Sequence, residues 1–598
     1  MAIQLPRNLW AFLAVSGLLL TTSSCVDNAY DLDDIDSEYE IKVTDLTLPV
    51  KLDAFELSSV FNLDDESVIK DIDGVYAVNI DGEFHSDEVR INHVTLSVGN
   101  MSAISTNIFS YAGTDVSLPS FEVGEQALAY EITPASTPFE LSGVQIDNCL
   151  RQLDVIKGEW KVDFAFSLKD INNLFRVLEF QNLKLQLPKG FKVDGYTADD
   201  KGCITIPSLA IATNGTTHYQ LVVSEIDTRE LPASEYSFTA GPGSSPSSLS
   251  IKSNIGVAGG YVTAVTNKTT TSTPQHVDLV ITPTPSNIDI NYISGKVEYR
   301  IENLNVSDLA LNDLPDFLTQ SGTDISLSNP QLYLSINNPL ADSKLTAQAG
   351  LSLGAIRNGV VDRTVTLPSA NKIVIGVNKG VDGPYDFCLS PSKPEGLPST
   401  TTHLAFPDFG KLLSGAGLPT AIRVDFSDPK VPETYVTDFK IGQLLKAFTG
   451  KYQLVAPLSF NDGSMIVYEE KETGWNDDTL LKLTISELKL TATITNPLPF
   501  DVVMTGYPLN EDGSHVTDVT TGAPVQLVDA EGNLGFRIKA GETTDITLRT
   551  DGAFSGIDGI AYEARCVVAN PGVALSPSSV IKVENIRATV SGKYVDEF

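Results

Sequence analysis

Two stretches of this chain stop a β-strand in the same way. Leu332–Leu340 reads LYLSINNPL and Leu490–Leu498 reads LTATITNPL. Each alternates apolar and polar residues with the period of a half-buried strand, then ends in Ile-x-Asn-Pro-Leu. Proline has no N–H with which to continue a ladder, and asparagine tolerates turn geometry, so the motif ends a strand cleanly. Leu183–Pro188 (LKLQLP) is a degenerate third copy. A chain with these strand ends is built of short antiparallel strands, and at 42% hydrophobic residues it has the material for real cores.

Other segments extend the pattern. Val75–Ile80, Asp81-Gly82 and Glu83-Phe84 read as a β-hairpin, because Asp-Gly readily takes the positive φ of a tight turn. Val89–Leu96, Val277–Ile281, Met465–Tyr468 and Leu481–Ile485 read as strands, and Val580–Val590 as the strand closing the final sheet. Gly158-Glu159-Trp160, Gly295-Lys296-Val297, Gly450-Lys451-Tyr452 and Gly592-Lys593-Tyr594 form a second recurrent series. Short helices are expected where apolar residues fall at i, i+3, i+4, i+7: Ile171, Leu174, Phe175 and Leu178, with Asp170 as cap, and Ile441, Leu444, Leu445 and Phe448, closed by Gly450. Leu309–Leu318 is a third, with Pro315 near the start of a turn. Polar stretches at Gly241–Ser250, Thr269–Gln275 and Ser390–Thr402 read as loops or linkers.

The Ile-x-Asn-Pro-Leu strand end resembles the Asn-Pro motif of LEA14-like domains, which are small β-sandwiches. The resemblance implies a sandwich, as tandem short strands do independently, and it transfers no activity. The fold class expected is mainly all-β: tandem β-sandwich-like domains with a few short helices. The expected order is a signal peptide (1–24), an acidic tether with a first strand (25–72), β domains (73–285), a sandwich-like domain (286–425) and a C-terminal one (426–598).

The leader fixes the expected location. Leu9–Leu20 is apolar but shorter than the roughly 20 residues a bilayer span needs, and Arg7 precedes it, which is the layout of a secretory signal. Thr22-Ser23-Ser24-Cys25 resembles the lipobox of bacterial lipoproteins, with Thr22 where that pattern prefers Leu. The resemblance implies lipidation of Cys25 and anchoring through buried acyl chains. Val26 implies outer-membrane delivery. The tract Asp27, Asp31, Asp33, Asp34, Asp36, Glu38 and Glu40 resembles the surface-export signal of Bacteroidota lipoproteins, and read simply as charge it is a self-repelling tether.

A formal net charge of −35 opposes nucleic acid, whose binding rests on Lys/Arg neutralisation of phosphates. Cys149, Cys203, Cys388 and Cys566 are far apart in sequence with no CxxC, so metal and thioredoxin-type chemistry is not indicated; pairing and buried free thiols both remain open. His85, His93, His218, His276, His403 and His515 include no HExxH, and neither a G-x-S-x-G nor a P-loop occurs. Structural calcium is a minor expectation: Asp31, Asp33, Asp36 and Glu38 are closely spaced but lack the central glycine of an EF-hand, and Asn461-Asp462-Gly463 and Asn510–Gly513 read as ordinary hairpin turns. Trp475, Asn476 and Asp477 form a candidate ligand contact, a tryptophan among hydrogen-bonding groups that suits sugar stacking. The function expected is a lipid-anchored, non-catalytic surface binding or adhesion module with a glycan or protein ligand. The alternatives are a periplasm-facing structural or apolar-ligand-binding lipoprotein and, behind it, a glycan-active hydrolase with unmarked carboxylates.

Overall fold

The period-2 alternation is realised as antiparallel strands almost throughout, with 63% of the described residues in strands and 2% in helices. The computed structural model describes residues 38–48, 55–56, 67–110, 127–169 and 175–597, the last apart from 244, 267–275, 313, 320–321, 341–343, 377–382, 443, 446 and 475–482. Three long strands come from the N-terminal stretch: β1 (Glu38–Leu48), β2 (Val75–His85) and β3 (Ala135–Ile146). A first module follows with β4 (Leu150–Lys169), β5 (Phe175–Gln186), β6 (Phe191–Val193), β7 (Cys203–Ala210), β8 (Thr216–Asp227) and β9 (Ser247–Thr266). After β10 (His276–Pro285) comes a middle module of β11 (Ile288–Arg300), β12 (Gln331–Ile336), β13 (Ala347–Arg357), β14 (Ile373–Ile375), β15 (Tyr385–Ser390), β16 (Ala421–Lys440) and β17 (Thr449–Pro457). The last module holds β18 (Met465–Glu472), β19 (Leu483–Thr495), β20 (Phe500–Leu509), β21 (Phe536–Ile538), β22 (Thr543–Thr550), β23 (Gly559–Val568) and β24 (Val580–Glu597).

One pairing scheme recurs three times. In one sheet β4 pairs with β8 and β8 with β6, as β11–β16–β13 and β18–β23–β20 do. In the other, β5 lies between β7 and β9, β12 between β15 and β17, and β19 between β22 and β24. The middle and last modules add β14 beside β13 and β21 beside β20. The two sheets meet through aromatic contacts: Phe84 on β2 lies 5.3 Å from Phe426 on β16, and Phe166 on β4 lies 5.7 Å from Phe180 on β5. These are sandwiches with apolar side chains filling the gap between the sheets.

The two Ile-x-Asn-Pro-Leu motifs occupy one place in this scheme. Asn338 follows β12 and is fully buried; its Nδ2 donates to the Gly376 carbonyl (2.7 Å) and the Leu345 carbonyl (3.4 Å), and its Oδ1 accepts from the Leu340 N–H (2.9 Å). Asn496 follows β19 and repeats the set with the Phe500 carbonyl (2.8 Å), the Lys539 carbonyl (3.2 Å) and the Leu498 N–H (3.1 Å). Gly376 and Lys539 directly follow β14 and β21, so each asparagine ties the end of one sheet to a strand end in the other. The degenerate copy ends β5, the topological equivalent, where buried Leu187 precedes Pro188 in place of asparagine.

Every module is completed by a strand from outside itself. β3 pairs with β9, β2 with β17 and β1 with β24, each with the last strand of a module and in reverse chain order. The first and middle modules are also joined directly, because β4 pairs with β11. The middle and last modules are joined by backbone hydrogen bonds from Tyr76 N–H to the Leu575 carbonyl and from Leu575 N–H to the Leu458 carbonyl, both 3.0 Å, and by the Phe460–Phe500 ring contact at 5.5 Å.

Several local expectations are corrected. Phe175 and Leu178 lie on strand β5, not on a helix, and Ile171 and Leu174 fall outside the described residues. Register shifts at Phe175/Val177 and at Gln181/Lys184, the latter with Asn182 at φ 47°, insert extra residues, so the buried set acquires three-residue spacings that imitate a helical face. Ile441–Phe448 is likewise no helix: Leu444–Leu445 pairs with Val89–Arg90, and Gly442 at φ +73° is left-handed where a helix would have to run. In Leu309–Leu318 only Asp316–Thr319, directly after Pro315, is helical. Strand β2 runs straight through Asp81-Gly82, and the turn lies earlier, at Asp73-Gly74, where both residues have positive φ. Gly82 is needed for another reason: the Tyr452 ring covers it, so a Cβ would fall 2.3 Å from the tyrosine hydroxyl, and the adjacent pair Gly450–Phe84 repeats the arrangement. The glycine series is therefore not one repeat. Gly158 and Gly295 lie on first strands (β4, β11), Gly450 and Gly592 on last strands (β17, β24).

Turns of the last module are fixed by aspartates. Asp518 accepts from the N–H groups of Thr521 (2.6 Å), Ala553 (2.7 Å) and Thr520 (3.0 Å), and Asp529 accepts from the Asn533 side-chain amide (2.9 Å) and from the N–H groups of Asn533 (2.7 Å) and Glu531 (3.0 Å). These hydrogen bonds hold both carboxyls below the usual carboxylate range. A depressed folded-state pKa means that the unfolded chain takes up protons first, so the stability gained is present above about pH 4 and lost as pH falls through the folded value. Thermal unfolding followed by circular dichroism should show the midpoint falling as pH drops from 5 to 3, and Asp518→Asn should flatten that fall.

Removing either buried asparagine takes three hydrogen bonds out of a buried strand end. Asn338→Ala and Asn496→Ala are each expected to destabilise their own module by about 2–4 kcal/mol. Native-state hydrogen exchange should then quicken at Ile373–Ile375 in the first variant and at Phe536–Ile538 in the second, with the other module unchanged.

Candidate functional site

Among the described residues, the spaces within and beside the middle sandwich are small or shallow. The cavity between the sheets of the middle module, walled by Phe84, Ile336, Phe426 and Phe448, measures about 20 Å³, far below the roughly 300 Å³ at which small-molecule pockets begin. A shallow cleft of about 260 Å³ lies beside it, under Asn303, Asn305 and Asp425, and bridges from Asn305 to His85 and to Asp425 close the sandwich side there. The apolar-cargo alternative gains no support from either space.

Two histidine pairs resemble catalytic groups in composition. His403 Nε2 lies 3.0 Å from Ser390 Oγ, but Ser390 is fully buried and its hydroxyl donates to the Ser392 carbonyl at 2.8 Å. A nucleophilic serine needs an accessible oxygen and a proton directed at the base. His218 Nδ1 lies 2.7 Å from Asp163 on the open face of β4 and β8, as a surface pair. Among the described residues no three His, Cys, Asp or Glu side chains converge as a metal site. In the Asn510–Gly513 turn, Asn510 Oδ1 and Asp512 Oδ1 both accept from the Ser514 N–H, at 3.0 and 2.8 Å. Cys149, Cys203 and Cys388 are buried free thiols and Cys566 is a half-buried one; burial pushes the Cys149 thiol well up and Cys566 to about 12, so none is a reactive thiolate at neutral pH.

The sequence candidates Cys25, Trp475, Asn476 and Asp477 lie outside the described residues. What the structure brings together instead is a broad face where β16, β11, β4 and β8 run side by side across the first and middle modules. Its cations are held by carboxylates. Lys157 lies 2.6 Å from Asp438 and 3.7 Å from Glu225, Lys296 lies 2.7 Å from Glu433, and Arg229 grips Asp227 through two hydrogen bonds of 2.6 and 2.8 Å. The Arg229 contacts hold the Asp227 carboxyl below its usual range. Exposed ion pairs of this kind contribute little stability, but they cancel the local field.

Two tyrosines stand out on this face: Tyr435 is 50% exposed and Tyr292 42% exposed. Partial desolvation and then the carboxylate of Asp154 raise the Tyr435 hydroxyl, which faces that carboxylate. Asp154 itself is only 8% exposed and accepts from Gln152 Nε2 at 2.7 Å. Tyr435 is on β16 and Asp154 on β4, with β11 running between them, a span of about 10 Å at the usual strand spacing. Neither residue carries a sequence signal, because only the β4–β11 joint brings them together.

Among the described residues no helix is long and apolar enough to cross a membrane. No protein-family model and no curated protein matches the chain. Among solved structures it is similar to a protein of Parabacteroides distasonis assigned as secreted, at 12% identity and a TM-score of 0.31 over 52% of this chain and 90% of that one. It is also similar to a turret protein of an archaeal virus with a triple jelly-roll fold, at 12% identity and a TM-score of 0.10 over 81% of this chain and 91% of that one.

Proposed function

We propose that this chain is a lipid-anchored envelope protein of the outer membrane, facing the cell surface, whose tandem sandwiches form a non-catalytic binding or adhesion scaffold. The observation that carries this reading is the pairing of β1 with β24, from Glu38↔Glu597 to Leu48↔Ala588. Glu38 follows Cys25 by only thirteen residues, so the lipidated end leads directly into the last module. The bonded order then runs from last module to middle to first, away from the membrane. Such an arrangement presents folded modules outward on a short acidic tether and needs no interior cavity.

Protease shaving of intact cells tests the orientation. The expected result is loss of the first-module fragments from whole cells, with an inner periplasmic marker left intact. Full protection of the chain on intact cells, with digestion only after the outer membrane is opened, would instead place it on the periplasmic side. Cys25→Ser should release the protein from the membrane fraction, and retention of that variant would contradict lipid anchoring.

A further inference from the structure

The face over the joint between the first and middle modules has properties that select one class of ligand. A sheet surface in a chain of net charge −35 would ordinarily repel polyanions and attract cations. Here Lys157, Lys296 and Arg229 are each matched by a carboxylate, so the face offers many donors and acceptors with little net field. On it stands Tyr435, half-exposed and beside Lys296 on the neighbouring strand. Tyr292 lies four residues before Lys296, the cross-strand neighbour of Tyr435, about 13 Å away along β11. Aromatic faces set among fixed hydrogen-bonding groups bind surfaces that are apolar on one side and hydroxylated at the rim, as pyranose rings are.

We propose that this face is a binding platform for a neutral polysaccharide, with Tyr435 as the stacking residue, Tyr292 as a second contact along the same polymer, and the exposed pairs Lys296–Glu433 and Lys157–Asp438 donating to and accepting from sugar hydroxyls. The inference deepens the surface-binding reading and rests on it. A neutral chain is selected because the paired charges give an anionic polymer nothing unneutralised to bind, while the rest of the surface repels it. The open sheet, with no cleft over the tyrosines, suits an internal stretch of polymer rather than a chain end.

The test is affinity electrophoresis and calorimetry of the full exported chain, without its lipid, against mixed-linkage β-glucan, galactomannan and starch, with heparin and polygalacturonate as anionic counterparts. Retardation by at least one neutral polymer is expected. Tyr435→Ala should weaken it about tenfold or more, as expected for an aromatic anchor. Tyr435→Phe should retain most of it, and this variant guards against misfolding as the cause of a loss. Tyr261→Ala, which removes an exposed tyrosine on β9 in the first module's other sheet, should change nothing. Binding to none of the neutral polymers, binding to the anionic ones only, or retardation unaffected by Tyr435→Ala and Tyr292→Ala would each overturn the proposal. None of these outcomes bears on shaving of intact cells, so the platform and the surface location fail independently.

Discussion

Nine residue pairs between Glu38–Leu48 and Ala588–Glu597 hold the first described strand against the last. Everything about how this molecule is closed depends on that ladder and on its two counterparts, β2 on β17 and β3 on β9. A module without its borrowed strand leaves the outer edge of its last strand open, a row of unpaired N–H and C=O groups that can template association with another chain. The loops to be closed differ greatly in length. β3 meets β9 about one module later, whereas β1 has to wait for residues 580–597. Closure entropy grows only slowly with loop length, so the long-range pairing is tolerable for stability, but it makes folding slow and ordered. The first module can complete itself earliest and the last module only when its final strand is present.

The same ladders account for the distribution of glycine. Where backbones crowd at a joint or bulge, a side chain has no room: a Cβ on Gly158 would lie 2.4 Å from the Asp289 carbonyl oxygen, on Gly295 2.0 Å from that of Gln152, and on Gly592 2.3 Å from that of Thr484. Gly158 and Gly295 serve the β4–β11 joint from its two sides, with register shifts beside each. That joint makes the first and middle modules share a sheet, and it is what sets Asp154 within reach of Tyr435. The candidate binding face is thus a product of module joining and belongs to neither module alone.

Which features were legible in the sequence follows from how local their causes are. The Ile-x-Asn-Pro-Leu ends were legible because strand, turn residue and proline are consecutive, and Asn338 and Asn496 do stop their strands as expected. Their role in tying two sheets was not, since Gly376 and Lys539 lie some forty residues on in sequence. The false helices arose from bulges, which shift a strand's phase and imitate the spacing of a helical face at Phe175 and Leu178. Strand donation was invisible because nothing in Glu38–Leu48 names its partner. Of the candidate contacts, Trp475, which the sequence flagged, lies outside the described residues, and Tyr435 becomes recognisable only once β11 is known to run between it and Asp154.

Aromatic rings pack the interiors of the first and middle modules. Trp160 packs against Phe139 at 5.4 Å and Phe191 at 5.6 Å in the first module, and Phe84, Phe426 and Phe448 close the middle one. A sandwich packed with rings has its sheets wedged at fixed separation and cannot open for cargo without losing several aromatic contacts at once, each contributing about 0.5–1.5 kcal/mol beyond its area burial. What such a body can offer a partner is surface that keeps its shape under load. A flat face spanning two modules, with its tyrosines held against a shared sheet and its charges mutually paired, is rigid for the same reason the interior is closed. Binding there requires little ordering of the protein, which favours modest but fast and repeatable contacts with a long polymer over deep capture of a small molecule.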